Sequence, residues 1–231
     1  MSKLRNCPKC KIKVIDDEAK FCIECGAILN PQTIDVQETN SIDTIKVIKG
    51  QKVTLSQKNR PVTKIIVEIG WKKDERQKDF EIDAATFLLD SRNKLREDSD
   101  LVFYYNPQHV SGAVEYVGKF LIDNVEVERI KIDLDKISAD VSKIAFTYTI
   151  DNADKLQQNF AQVKGFLVRI INEINSSVLI SYDQERNFSI ETTLVVGELY
   201  RYKGTWKFNT IISGFKGGLP AIYKNFGVNL A

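Results

Sequence analysis

No cysteine occurs beyond position 25, histidine occurs once, at position 109, and only 5 prolines and 12 glycines are spread over 231 residues. So little proline and glycine excludes a low-complexity chain, and 43% hydrophobic with 28% charged residues excludes wholesale disorder. An excess of one charge is also missing, since 33 Lys and Arg face 31 Asp and Glu for a net charge of +2. That balance excludes a uniformly basic nucleic-acid coat and an acidic tail protein alike. No stretch approaches the roughly 20 consecutive apolar residues of a membrane helix. Met1 to Cys7 lacks the apolar segment of a signal peptide, so a cytoplasmic protein without a membrane span is expected. Any histidine-based acid–base scheme hangs on His109, which follows Asn106-Pro107-Gln108 in a turn-like run and is expected to be a loop side chain.

The cysteines that are present form two pairs, Cys7-Pro-Lys-Cys10 and Cys22-Ile-Glu-Cys25, separated by 11 residues. A two-residue spacer turns both sulfurs of a pair toward one point, and two such pairs supply the four thiolates of tetrahedral Zn²⁺. Two disulfides would need an oxidising compartment, which the absence of a secretory signal argues against. Gly26 can take positive φ and let backbone amides point at the thiolates. Four cysteine ligands leave no open coordination position, so the zinc is structural and supplies folding free energy to a unit too small for a core. Lys3, Arg5, Lys9, Lys11, Lys13 and Lys20 outnumber Asp16, Asp17, Glu18 and Glu24 there. They offset the negative charge of a zinc tetrathiolate, and a nucleic-acid patch is not required to explain them. Residues 1–30 are assigned to this ribbon, which resembles the short zinc ribbons of protein N-termini over residues 7–29, and the polar residues 31–45 to a linker.

Beyond residue 45 the dominant signal is period two. Ile130, Ile132 and Leu134 alternate with Lys131 and Asp133, and Phe146, Tyr148 and Ile150 alternate with smaller residues. Further strands are expected at Val62–Ile69, Phe80–Leu89, Leu101–Tyr105, Gly165–Ile174, Ser177–Tyr182, Ile190–Tyr200 and Thr205–Ile212. Many short strands indicate a mainly β domain, a sandwich or barrel over residues 46–231, with its aromatic pairs in the core. Leu219, Ile222, Tyr223 and Phe226 follow helical spacing and Gly227 supplies a stop, which predicts a C-terminal helix. Gly214-Phe-Lys-Gly-Gly218 before it lacks the Walker Gly-Lys-Ser/Thr ending and reads as a turn rather than a phosphate loop.

Asp79, Glu81 and Asp83 alternate with Phe80 and Ile82, which places three repelling carboxylates on one strand face. Asp98, Asp100 and Asn106 bracket another strand and could add oxygen ligands for a hard cation, above all Ca²⁺. Nothing separates an acid from a base among them and no Gly-x-Ser-x-Gly occurs, so no catalytic residue is assigned.

Several blocks then carry a family resemblance: Gly70-Trp71, Phe80-Glu81-Ile82-Asp83-Ala84 with Phe87-Leu88-Leu89, Asp100-Leu-Val-Phe103-Tyr104, Phe160-Ala-Gln162-Val163, Gly197-Glu198-Leu199-Tyr200-Arg201 with Gly204-x-Trp206-Lys207-Phe208, and Gly214-x-x-Gly217-Gly218-Leu219. In order and spacing the chain from residue 46 to 231 resembles the TerD family. The resemblance implies a calcium-binding two-sheet β-sandwich tied to tellurite resistance and chemical stress, without catalysis. Lys72 stands where the family has an acid after Gly-Trp, and the family's glycine- and aspartate-rich loop is replaced by Gly118-Lys119-Phe120-Leu-Ile-Asp123-Asn124-Val-Glu126-Val-Glu128. Calcium is therefore expected to bind more weakly than in members with the complete loop, at a single site centred on Asp83 and Asp100.

The expected protein is a non-enzymatic stress-response module with a zinc ribbon on a TerD-like sandwich, binding metal ions and protein partners of a stress-response complex. The alternative is an adaptor whose ribbon contacts nucleic acid or another protein while the sandwich serves as scaffold.

Overall fold

The structure, a computed structural model, describes residues 5–6, 13–14, 44–73, 80–183 and 188–227. The chain divides into two units, Met1–Ser41 and Ile42–Ala231. In the first, β1 (Arg5–Asn6) pairs antiparallel with β2 (Lys13–Val14). Cys7, Cys10, Cys22 and Cys25 lie outside the described residues, as does Asp79.

The second unit runs through β3 (Ile45–Lys46), β4 (Lys52–Thr54), β5 (Ser56–Gln57), β6 (Arg60–Pro61), β7 (Lys64–Lys72), β8 (Ile82–Leu89), β9 (Leu101–Val102), β10 (Val114–Ile122), β11 (Val125–Asp133) and β12 (Lys143–Ile150). A short α1 (Ala153–Leu156) leads to β13 (Lys164–Asn172), β14 (Val178–Tyr182), β15 (Thr193–Tyr202), β16 (Thr205–Phe215) and α2 (Gly218–Asn225). One six-stranded sheet has the order β10-β11-β7-β13-β14-β3 and the other β4-β16-β15-β12-β8-β9, with β5 and β6 as a separate ribbon. The two sheets pack face to face as a sandwich. Ile45, counted with the polar linker from sequence, already pairs with Ile180 through the parallel β14–β3 contact.

Alternation fixes which face each strand buries. In β16, Trp206, Phe208, Thr210 and Ile212 are buried while the residues between them are not. Ile65, Val67 and Ile69 from one sheet and Ile82, Ala84, Leu88, Phe146 and Tyr148 from the other fill the space between them. The second sheet is covered on its outer side too, where Phe87, Leu89 and Val195 meet Ile222 and Phe226 of α2. Burial on both faces is why β8 carries apolar residues on both of its sides, Ala85, Phe87 and Leu89 as well as Ile82, Ala84 and Leu88.

Three expectations change. The segment after Leu101 leaves the sheet after Val102 because Phe103 N donates to Asn106 O and the Asn106 amide donates to Leu101 O, closing a turn that leaves Tyr104 and Tyr105 exposed rather than in the core. Lys119 to Val127, read as a degenerate loop, is a β-hairpin in which Asp123 and Asn124 both take positive φ, as a two-residue type I′ turn requires. His109 is buried rather than a free loop side chain. The Gly217–Gly218 turn does precede α2, and its two amides donate to the Thr192 hydroxyl.

Trp206 is almost wholly buried, with the Arg201 guanidinium 4.4 Å from its ring centroid. That guanidinium also donates to the carbonyls of Ile137, Ser138 and Val141, tying β15 to the loop before β12. Trp206→Ala is expected to lower the unfolding free energy by about 3–5 kcal/mol. Denaturant titration checks this, and an unchanged midpoint would place Trp206 outside the stabilising core.

Candidate functional site

The acidic residues singled out in the sequence separate into two places. At one end of the sandwich, Asp83 near the start of β8 receives an ion pair from Lys119 of β10, Nζ to Oδ1 at 2.8 Å. Beside it Glu128 of β11 is fully buried and reaches across to the other sheet, where the Ala84 amide donates to both its carboxylate oxygens at 3.2 and 3.1 Å. The Tyr116 hydroxyl donates to the same carboxylate at 2.7 Å. Ala84 is free to do so because β9 is two residues long and pairs with β8 only at Thr86 and Phe87.

Burial pushes the Glu128 carboxyl up to about 7, although the Tyr116 and Ala84 hydrogen bonds and the Lys119 charge act to lower it. Burial and then the Glu128 charge push the Tyr116 hydroxyl upward. For Lys119, burial would lower the ammonium, but the hydrogen bond to Asp83 and the charges of Glu128, Asp83 and Glu126 together raise it.

Asp100 lies elsewhere. Its fully buried carboxylate is held by Arg96, Nε to Oδ2 and Nη2 to Oδ1, both at 2.7 Å. His109 Nε2 lies 3.1 Å from Oδ1, while its Nδ1 accepts from the Ser111 amide at 3.2 Å and lies 2.7 Å from the Ser111 hydroxyl. With Nδ1 accepting, Nε2 carries the proton to Asp100. The register Phe87↔Leu101 places Asp100 five residues along β8 from Asp83, roughly 17 Å at the rise of a strand.

In sequence Lys119 and Glu128 read only as parts of a replaced loop, and Tyr116 is not singled out. Counting back from the Asp123–Asn124 turn sets Lys119 opposite Glu128, so recognising a hairpin between two β-rich runs would have found the pair. The second sheet's partner, Ala84, has no signal in sequence because the contact is made between sheets.

Comparison with known proteins places the fold. The TerD domain model matches residues 44–226. General stress protein 16U of Bacillus subtilis is 40% identical over 191 residues, covering 81% of this chain and 99% of that protein. Tellurium resistance protein TerD of Serratia marcescens is 36% identical over 195 residues, covering 80% and 98%. The crystal structure of a homologue of telluride resistance protein TerD from Streptomyces coelicolor superposes with a TM-score of 0.54 at 16% identity, over 70% of this chain and 95% of that one, which shows a shared fold.

The chain belongs to the TerD family. In this TerD domain the described residues of the set expected to hold calcium do not converge on one ion. An ion with bonds of about 2.3–2.6 Å cannot bridge Asp83 and Asp100. Both Asp100 oxygens are taken by Arg96, and Asp83 faces an ammonium. The Asn106 amide donates to a carbonyl, and Glu81 and Asp98 are exposed. Among the described residues no three His, Cys, Asp or Glu side chains are placed to hold a metal ion. Among the described residues, then, Asp83 and Asp100 do not share one point but sit with separate cations, Lys119 and Arg96.

Asp100→Asn is therefore expected to destabilise the TerD domain by about 3 kcal/mol, because Arg96 loses its partner at a buried position. Equal stability of the variant and the parent in urea would refute the structural role. For Glu128, the folded value of about 7 lies above the ordinary 4.5, so the folded state binds the proton more tightly and this group's contribution to stability falls as pH rises between those values. Glu128→Gln removes the titration, and the stability of the variant relative to the parent should rise by up to about 3 kcal/mol from pH 4.5 to pH 7. Urea titrations across that range measure it, and a pH-independent difference would overturn it.

Proposed function

We propose that this TerD-family chain is a non-catalytic, cytoplasmic stress-response module. It joins a four-cysteine zinc ribbon to a β-sandwich and acts in tellurite and chemical stress by engaging protein partners. The observation that carries the reading is the match of the TerD domain to residues 44–226, together with relatives named for tellurium resistance and general stress that are matched over nearly their whole length. A protein of 47% identity over 138 residues is named chemical-damaging agent resistance protein B.

The internal pairing of charges supports a binding role over catalysis. Asp83 is engaged by Lys119, Asp100 by Arg96 and His109, and Glu68, only 1% exposed, by Arg129 and Arg169 from the strands on either side. A nucleophile or general base must instead face a substrate. A cleft of about 710 Å³ bordered by Leu55, Val62, Ile137 and Trp206 includes Arg201, whose guanidinium is already committed to carbonyls. Cys7, Cys10, Cys22 and Cys25 precede the matched region, and the zinc assignment rests on their spacing.

Expression of the full chain in a tellurite-sensitive bacterium is expected to raise the tellurite concentration that arrests growth. No protection against tellurite or an alkylating agent would refute the stress role. Elemental analysis of chain purified under reducing conditions should find about one zinc per molecule, lost on Cys22→Ser. Zinc-free protein with oxidised cysteines would replace the ribbon by disulfides, and a nucleic-acid affinity that falls with salt would favour the adaptor reading.

A further inference from the structure

The residues around Lys119 carry more than an ion pair. Its ammonium is only partly exposed and sits at the end of the sandwich in the field of three carboxylates, with Asp83 bonded directly and Glu128 and Glu126 acting through charge. Asp83 comes from one sheet and the two glutamates from the other. Glu128 has no exposure, and with its carboxyl pushed up to about 7 it carries its full negative charge only above neutral pH, without access to bulk water. Nearby, the fully buried Tyr148 hydroxyl, reached by the charges of Glu128, Glu126 and Asp83, has no hydrogen-bond partner among the described residues. Asp83, Glu128 and Glu126, with the Tyr116 hydroxyl on Glu128, thus put hard oxygen donors, the type a divalent cation takes, around this end of the sandwich. Here cations of the chain itself stand in it, Lys119 bonded to Asp83 and Lys73 with its Nζ 3.9 Å from Glu126 Oε2.

We propose that the Lys119 ammonium is a tethered substitute for a divalent metal ion. It supplies the positive charge this end of the sandwich requires and makes the domain independent of calcium there. The carboxylates do not converge as a metal site while the amine is present, which is the arrangement expected when a single positive charge on a four-carbon stem replaces an ion that draws ligands to about 2.3–2.6 Å. Hairpin geometry fixes the substitute: Lys119 is opposite Glu128 on the neighbouring strand, and the stem carries the charge on to Asp83. Removing the amine while keeping the stem leaves the carboxylates to repel one another, and an added divalent cation can then relieve that repulsion.

The test compares the parent full chain with Lys119→Met and Lys119→Arg by thermal unfolding of the sandwich, in chelator and in rising millimolar calcium. The parent and Lys119→Arg should melt alike and ignore calcium. Lys119→Met should melt lower in chelator by about 2–4 °C or more, and its midpoint should climb with the logarithm of calcium once the site begins to fill. Asp83→Asn added to Lys119→Met should abolish that climb. Three outcomes overturn the proposal: a parent midpoint that rises with calcium and stops doing so on Asp83→Asn; a Lys119→Met protein as stable as the parent without calcium; and a destabilised Lys119→Met that calcium does not rescue, which reduces Lys119 to an ordinary ion pair. If Lys119→Met does not fold in chelator, refolding with and without calcium reads the same rescue, and calcium-independent failure counts against the proposal.

Discussion

The Glu128 carboxylate joins the two sheets of the sandwich by directed bonds. Apolar side chains hold the sheets together strongly but without direction, since the free energy of burying them depends on area. Glu128 instead accepts the Ala84 amide of the opposite sheet, an amide left over because β9 is too short to pair with it. An unpaired amide and an unpaired carboxylate buried apart would each be costly, and together they satisfy one another. The charge that arrives with Glu128 then needs its own partners. Tyr116 donates its hydroxyl, Lys119 brings a positive charge within reach, and Asp83 binds the Lys119 amine in turn. Each residue in this sequence is explained by the one before it.

The same rule governs the other buried acids, with a different cation. Asp100 and Glu68 are held by arginines, whose planar forks bind two carboxylate oxygens or bridge from neighbouring strands. At the end of the sandwich the cations are lysines, Lys119 on Asp83 and Lys73 on Glu126, compact charges on flexible stems. The near-equality of acids and bases in the composition is thus partly an account of internal pairing.

Much of the fold could be read before the structure. Alternation located the long strands, and the spacing of Leu219, Ile222, Tyr223 and Phe226 located α2, whose end coincides with a positive-φ Gly227. The errors fell where local sequence does not carry the deciding contact. Val114–Ile122 does not read as a strand in sequence because Gly118, with positive φ at a register shift, interrupts its alternation. The acids were grouped by their spacing along the chain. Their partners, Lys119, Arg96 and His109, are fixed by register and by turns. Asp79 and the four cysteines lie outside the described residues, and the zinc reading continues to rest on cysteine spacing.

The substitution of a tethered cation for a metal ion changes how stability depends on the surroundings. A bound ion stabilises the folded state in proportion to the logarithm of its free concentration, so a metal-dependent sandwich loosens when calcium is withdrawn. An ammonium fixed by the chain is present at unit occupancy whatever the ionic conditions, and its strength varies with screening and with the protonation of the amine and of the carboxylates it faces. The proposed zinc ribbon obeys the opposite rule, since a four-cysteine unit without a core folds only while its metal and reduced thiolates persist. Within one chain, then, the sandwich would keep its form through changes in metal supply and redox state, whereas the ribbon would lose its own under oxidation or metal loss. A module of stress response built this way confines its sensitivity to the cysteine-bearing unit and leaves the larger domain as a constant surface for partners.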